Sequence, residues 1–196
     1  MKRSIKALVT GFALLCSINA AKASDIKIGT FLAVTGPASF LGDPELKTLQ
    51  MYVKKINNEG GVIGRKIKLI HYDTGANPKK AVNFAKRLIK KDRVDIIVGA
   101  STSGTTMAVV PIVQKAKIPF ISMAGSVKIV EPVKKWVFKT PHTDKMAARK
   151  IFLDMNKQGI KKVGLISGSG GFGKSGRGQV LALASEYGLT ITADES

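Results

Sequence analysis

The chain switches hydrophobic period repeatedly. A short apolar run is followed by a longer stretch whose apolar side chains recur three and four residues apart, and then the cycle restarts. Such alternation admits few topologies. Short strands that read as continuously apolar are buried on both faces, and amphipathic helices between them cover a parallel sheet. Ile26–Leu32 reads as the first strand. Asp43-Pro44 predicts a helix cap and a first-position proline, followed by Leu46, Leu49, Val53 and Ile56 at helical spacing and a stop at Gly60-Gly61. Ile67–Asp73 is a second strand, and Asn77-Pro78 opens a helix with the stripe Ala81, Val82, Ala85, Leu88 and Ile89. Residues 95–99 form a third strand. A polar turn at 100–106 leads into a helix to about Lys115, in which Pro111 predicts a kink. Residues 118–122 and 136–139 are further extended segments.

After Thr140-Pro141 the pattern begins again. A helix over 143–157 ends at Gly159, a strand covers 163–167, a glycine-rich turn opens a helix from about Ser175 to Tyr187, and a strand covers 189–192. The expectation is an α/β fold: a doubly wound parallel sheet forming one lobe over residues 24–139, plus the start of a second, similar lobe over 140–196. Two helices and two strands are too few to bury both faces of a sheet. The second lobe is therefore expected to be incomplete, with its missing strands supplied by further chain or by something else.

Residues 1–23 carry an export pattern. Lys2, Arg3 and Lys6 precede an apolar run over 7–20, too short to span a bilayer comfortably, and Ala21-Lys22-Ala23 is a small-x-small cleavage site. Cys16 lies inside the apolar run behind Leu14 and Leu15, which are too bulky for a lipid-anchor cleavage site. No twin-arginine pair is present, so export proceeds with the chain unfolded and without a preloaded cofactor. The reading is a periplasmic protein cut after Ala23.

The full chain has 32 Lys and Arg against 13 Asp and Glu, a net charge of +19, and loss of the export segment leaves +15 and no cysteine. A disulfide framework and a multi-cysteine zinc site are excluded, and two histidines offer little for an imidazole-rich metal centre. Aromatic residues are only 6%, whereas single-stranded nucleic-acid surfaces interleave aromatics with charge, so no nucleic-acid partner is expected. The paired lysines read as solvated helix faces, with a residual attraction for anionic partners or membrane surfaces.

The turn Gly168-Ser169-Gly170-Gly171-Phe172-Gly173-Lys174-Ser175 matches two phosphate patterns. Gly168, Gly173, Lys174 and Ser175 fit the P-loop spacing; Gly168, Gly170 and Gly173 fit the dinucleotide spacing, with Asp194 at the distance of a ribose-binding acid. A nucleotide-binding enzyme fragment is therefore the alternative function. Against it stand the export pattern, the few residues left after Ser175, and the position of the turn in the second unit. The favoured reading is a structural or ligand-facing turn.

Two turns at adjacent strand ends collect hydroxyls and backbone donors: residues 100–106, with Thr102 and Ser103, and residues 122–126, with Ala124, Gly125 and Ser126. A third loop, 35–42, ends near Leu41. In open α/β sheets, ligands bind outside the carboxyl ends of the strands, and Ser103 opens a helix whose free N–H groups attract an anion. Each hydroxyl alone could simply cap a helix; three such loops at one sheet edge favour a polar-ligand site. Catalysis has little support. No G-x-S-x-G elbow occurs, His71 alternates with Ile67 and Leu69 on a strand, and His142 sits beside Pro141 between the units. No enzyme activity, cofactor or metal is expected, and an exported hydrolase ranks third.

The chain from Ser24 onward resembles type 1 periplasmic solute-binding proteins, specifically the branched-chain amino acid (Leu/Ile/Val)-binding family of ABC transporters. The resemblance is carried by the order and spacing of Ile26-Lys27-Ile28-Gly29, Thr35-Gly36-Pro37, Ile56-Asn57 with Gly60-Gly61-Val62 and Gly64, Tyr72-Asp73 with Asn77-Pro78, Val98-Gly99 with Ser103, Ile118-Pro119-Phe120-Ile121-Ser122, Val137-Phe138-Lys139-Thr140 and Phe172-Gly173. It implies a two-lobed clamshell that hands an amino acid-like solute to a membrane permease. It also implies that Ser103 holds a ligand carboxylate, and that Ala124 and Ser126 hold ammonium and carboxylate through a carbonyl and a hydroxyl. Phe172 stands where the family usually has a tyrosine, and Leu41 where some members have an aromatic. Family members are about twice as long, which implies a truncated chain. The expected function is uptake of branched-chain amino acids, or of related small amino or carboxylic acids or amides.

The cleavage expectation has a direct test. Mass spectrometry of the exported species should find Ser24 at its N-terminus, and an intact Met1 there would refute the export reading.

Overall fold

The computed structural model describes residues 24–196; the export segment inferred for residues 1–23, with Cys16, lies outside the described residues. Strands β1 (Ile26–Leu32), β2 (Ile67–Asp73), β3 (Ile96–Val98), β4 (Phe120–Ser122) and β5 (Val137–Lys139) form a parallel sheet in the order β2-β1-β3-β4-β5. Helix α1 (Ser39–Asn58) joins β1 to β2, α2 (Pro78–Arg87) leads towards β3, and α3 (Ser103–Ala116) joins β3 to β4. The chain steps one way from β1 to β2 and the other way from β2 to β3. Right-handed crossovers then place α1 on one face and α2 and α3 on the other. In accord, α2 and α3 pack on each other while α1 lies against β1 and β2. The reversal between β1 and β3 leaves a crevice outside the carboxyl ends of the strands.

The core of this sheet is fully buried at Phe31, Leu88, Ile97, Val109, Val113 and Phe120. Phe31 and Phe120 stack with centroids 5.9 Å apart. Each such side chain contributes about 1.5–3 kcal/mol on burial, which fixes the strand ends that carry the loops.

A second parallel pair, β6 (Lys162–Ile166) and β7 (Thr190–Glu195), is flanked by α4 (Asp144–Lys157) and α5 (Gly171–Ala184). Its core is Ala148, Phe152, Leu183, Ala184 and Leu189. On the strand, Ile166 is 89% exposed. One face of the pair is packed and the other is open, the arithmetic expected of two helices on two strands.

Local signals explain most boundaries. Asn77 Oδ1 accepts from the amides of Lys79 (2.9 Å) and Lys80 (3.1 Å), with Pro78 as the first helical residue. Thr143 caps α4 through the Met146 amide at 3.1 Å. Two starts differ from expectation. Helix α1 begins at Ser39 rather than after Asp43, and Pro44 lies inside it. Pro44 lacks only the hydrogen bond to a carbonyl in the first turn, and Asp43 pairs with Lys47 at 2.6 Å instead of capping. Helix α5 begins at Gly171 rather than near Ser175, so half of the glycine-rich turn is helical. Within α5, Gly171 and Gly173 lie against neighbouring backbone, whereas Gly176 and Gly178 face open space. Helix α3 runs continuously through Pro111.

The end of β2 shapes the loop after β1. Asp73 Oδ1 accepts from the amides of Val34 (3.0 Å), Thr35 (3.2 Å) and Gly75 (3.0 Å), and its Oδ2 accepts from the Thr35 hydroxyl at 2.6 Å. Burial pushes the carboxyl upward, but these donors outweigh it and hold Asp73 below the usual carboxylate range. A depressed folded-state value contributes stability above the unfolded value, and this is lost as pH falls through the folded one. Asp73→Asn should cost about 1.5–3 kcal/mol at neutral pH. In denaturant titrations the gap to wild type should shrink as the pH drops below about 4; a pH-independent gap would refute the ionic role.

Candidate functional site

A cavity of about 660 Å³ lies at the carboxyl edge of the five-stranded sheet, bounded on its far side by α5 and the turn before it. Every strand-end loop but the first contributes: Ala76 after β2, Ser101, Thr102, Ser103 and Gly104 after β3, Met123, Ala124 and Gly125 after β4, and Pro141, His142 and Asp144 after β5. Leu41 enters from α1, and Gly168, Gly170, Gly171, Phe172 and Gly173 come from the second unit. Of the residues singled out in the sequence, Leu41, Thr102, Ser103, Ala124, Gly125 and Phe172 line this cavity, and Ser126 does not.

Ser126 is buried behind the wall. Its hydroxyl donates to Ser175 Oγ at 2.7 Å and accepts from the Lys128 amide at 3.2 Å. Its own amide donates to Ser103 Oγ at 3.2 Å. The Ser126 side chain thus joins the first sheet to α5, while the Ser103 hydroxyl keeps its proton free to donate. Thr102 caps α3 through the Thr105 amide at 3.4 Å.

Two helix N-termini converge here. Gly104, in the first turn of α3, abuts Gly171, the first residue of α5: a methyl group on Gly171 would lie 2.9 Å from the Gly104 nitrogen. Phe172 packs on Gly125 so closely that a Cβ there would come within 2.6 Å of its ring. The residue before α5, Gly170, offers no side-chain cap, so the first-turn amides of α5 have no such partner. Two positive helix ends facing one another repel, and an anion between them offsets that repulsion.

The β5–α4 crossing is strapped to the turn at 123–126. Lys139 Nζ donates to the carbonyls of Gly125 (2.7 Å) and His142 (3.1 Å). The Asp144 amide donates to Gly125 O at 3.1 Å, and its Oδ1 accepts from the Val127 amide at 2.9 Å. Burial lowers the Lys139 pKa, against the pull of Asp144. On the other side, Glu45 accepts from the Ser101 hydroxyl, whose oxygen accepts from the Ala33 amide at 3.0 Å. Burial raises the Glu45 carboxyl, partly opposed by that hydrogen bond. Sequence reasoning missed Glu45, Lys139 and Asp144 at the site; Ser101 lay inside the hydroxyl-rich turn at 100–106, and Ser175 was read only as part of the glycine-rich turn. Of the three missed residues, only Asp144, an acid directly after the Thr143 cap, carried a local signal.

The phosphate-motif residues have other occupations. Lys174 is exposed, Ser175 is buried against Ser126, and Asp194 forms a two-pronged pair with Arg177, with Nε to Oδ1 at 2.7 Å. His71 lies on β2 away from the cavity, with burial lowering its pKa against the opposing pull of Asp73. His142 lines the cavity mouth. Among the described residues no His, Cys, Asp and Glu cluster could hold a metal ion.

A parallel α/β lobe with a ligand-sized cleft at its switch point, closed by a second unit, defines the class of two-lobed binding proteins. The chain belongs to the periplasmic binding protein family, whose model matches residues 25–196. It is 32% identical over 122 residues to the leucine-specific-binding protein of Salmonella typhimurium, covering 62% of this chain and 33% of that one. An extracellular ligand-binding receptor from Rhodopseudomonas palustris HaA2 superposes with a TM-score of 0.79 at 30% identity, covering 87% of this chain and 46% of that one. A solute-binding protein of an ABC transporter from R. palustris BisB5, solved with 3,4-dihydroxybenzoic acid, gives 0.77 at 27% identity, covering 88% and 46%. The chain thus spans a third of the curated relative's length and under half of either structure.

The glycine contact generates a test. Gly171→Ala should push α5 away from α3, because overpacking against backbone cannot relax through a rotamer. Spin labels at positions 54 and 150, one on each unit, should read a longer distance in Gly171→Ala and an unchanged one in Gly176→Ala. Equal distances in all three proteins would remove the role assigned to Gly171.

Proposed function

We propose that this chain is the solute-capturing part of an extracytoplasmic ABC uptake system and is not an enzyme. Its solute is a small carboxylate: a branched-chain amino acid or a related amino or aromatic acid. The observation that carries the reading is the convergence of the α3 and α5 N-termini on one cavity, α5 lacking a side-chain cap. A carboxylate is the anion that fits, held by first-turn amides and by the Ser103 hydroxyl. The apolar part of the solute would lie against Leu41, Met123 and Phe172. Ala124 and Gly125 would offer backbone groups, and Thr102 would hold the turn that presents Ser103. Ser126, committed to Ser175, would position the wall rather than touch the solute. Phe172 supplies a ring and no hydroxyl, so contact there is dispersive. Delivery is to a membrane permease, after export and cleavage behind Ala23.

The named relatives support this reading from two sides, one a leucine-specific binder and one holding an aromatic acid. Their shared element is the carboxylate, the group the two helix ends favour.

Calorimetry on the full-length gene product should separate the options. Leucine, isoleucine, valine and 3,4-dihydroxybenzoate would be titrated beside leucinamide, which lacks the carboxylate charge. At least one acid should bind, and the charge-neutralised analogue more weakly. Ser103→Ala should weaken the bound acid by about 1.5–3 kcal/mol, the range for hydrogen bonds to a charged group. Unchanged affinity would leave Ser103 with its helix-start role alone.

A further inference from the structure

Helix α2 and the π turn that extends it over Leu88–Asp92 present one face to solvent, and that face is almost purely cationic. The core side is Ala81, Ala85 and Leu88, all fully buried. At helical spacing, Lys79, Lys80, Lys86, Arg87, Lys90 and Lys91 then fall on the opposite side, with Arg93 just beyond, and all seven are exposed. The only acid in the stretch is Asp92, whose carboxylate accepts from the Tyr72 hydroxyl at 2.9 Å and whose carbonyl accepts from Lys27 Nζ at 3.2 Å. Among the described residues the ion pairs are Lys47–Asp43, Lys145–Glu131 and Arg177–Asp194, and none uses this face.

Like charges this dense repel one another, and apart from Arg87, which lies over the Tyr72 ring, none of them has an ion-pair or aromatic partner among the described residues. They are also placed away from the solute cavity. Only the start of the helix, at Pro78, reaches it, and Lys90, Lys91 and Arg93 lie at the far end. Phe84, the stretch's one aromatic, is stacked inward on Tyr72 at 4.9 Å, and Arg87 lies over that Tyr72 ring at 4.8 Å. No ring is left for stacking on bases, which disfavours a single-stranded nucleic acid.

We propose that the outer face of α2 and its π-turn extension docks on an anionic phospholipid bilayer surface, holding the protein at the membrane with its solute cavity free. Clusters of this size suffice: a basic residue beside an anionic leaflet strengthens partitioning by about fivefold, and the gains accumulate. The inference does not depend on which solute the cavity takes.

Vesicle sedimentation of the exported chain tests it. Vesicles of phosphatidylglycerol with phosphatidylcholine should pull the protein down, and phosphatidylcholine alone should not. Raising salt from about 0.01 to about 1 M shortens the screening length from about 30 to about 3 Å and should release it. Replacing Lys79, Lys86, Lys90 and Lys91 by Gln should weaken partitioning roughly 600-fold, about fivefold for each charge removed. A charge-matched variant with Gln at Lys54, Lys55, Lys150 and Lys162, all exposed elsewhere, should lose far less. Equal losses in the two variants would reduce the effect to net charge and overturn the assignment of this face. Binding to neutral vesicles, or no binding to anionic ones, would overturn it outright. Tighter binding to single-stranded RNA than to anionic vesicles, abolished by the α2 variant alone, would transfer the face to nucleic acid.

Discussion

Two helix N-termini pressed together at one cavity set the conditions that the rest of the molecule meets. The approach of Gly171 to Gly104 leaves no room for a side chain, and the packing of Phe172 on Gly125 leaves none there either. These contacts bring two positive helix ends together without a side-chain cap on α5. The surrounding hydrogen bonds serve that approach. Ser126 links Ser103 to Ser175 across it, and Lys139 and Asp144 hold the Gly125 turn from behind. The arrangement directs two sets of first-turn amides towards one sheet edge.

The sheet makes this geometry repeatable. Strands β3, β4 and β5 have three residues each, yet their ends are fixed because Ile97, Phe120 and Val137 sit in the core next to the loops they carry. Asp73 does the same for the loop after β1 through three donors, from Val34 and Thr35. Polar loops gain precision from apolar anchors only a residue or two away.

Much of this was legible in the sequence, and the limits have physical causes. The period changes specified the strand order class and nearly every element, because continuous apolar runs have few places to go. Asn77-Pro78 marked its helix start because cap and ring act locally. Asp43-Pro44 carried the same local signal and failed. Gly42, packed on the Ala33 backbone, draws the helix start back to Ser39, a tertiary demand invisible in the dipeptide. In the site, the hydroxyl-rich turns were readable as turns. The pairings Glu45–Ser101 and Ser126–Ser175 span 56 and 49 residues, and no spacing rule reaches that far. Ser126 was expected to face the solute and is instead enclosed, since sequence gives a residue's loop but not which way its hydroxyl points.

The glycines of α5 also divide the helix by what each can tolerate. Gly171 and Gly173 are confined by backbone, so shape forbids replacement, whereas Gly176 and Gly178 meet only open space. Glycine in a helix interior loosens it by favouring the unfolded chain. The second unit therefore has slack on its outer side that adaptation could remove without touching recognition, while its inner side is frozen at the smallest residue. For anyone engineering a sensor from this scaffold, rigidity is adjustable at the back of α5 and fixed at its tip.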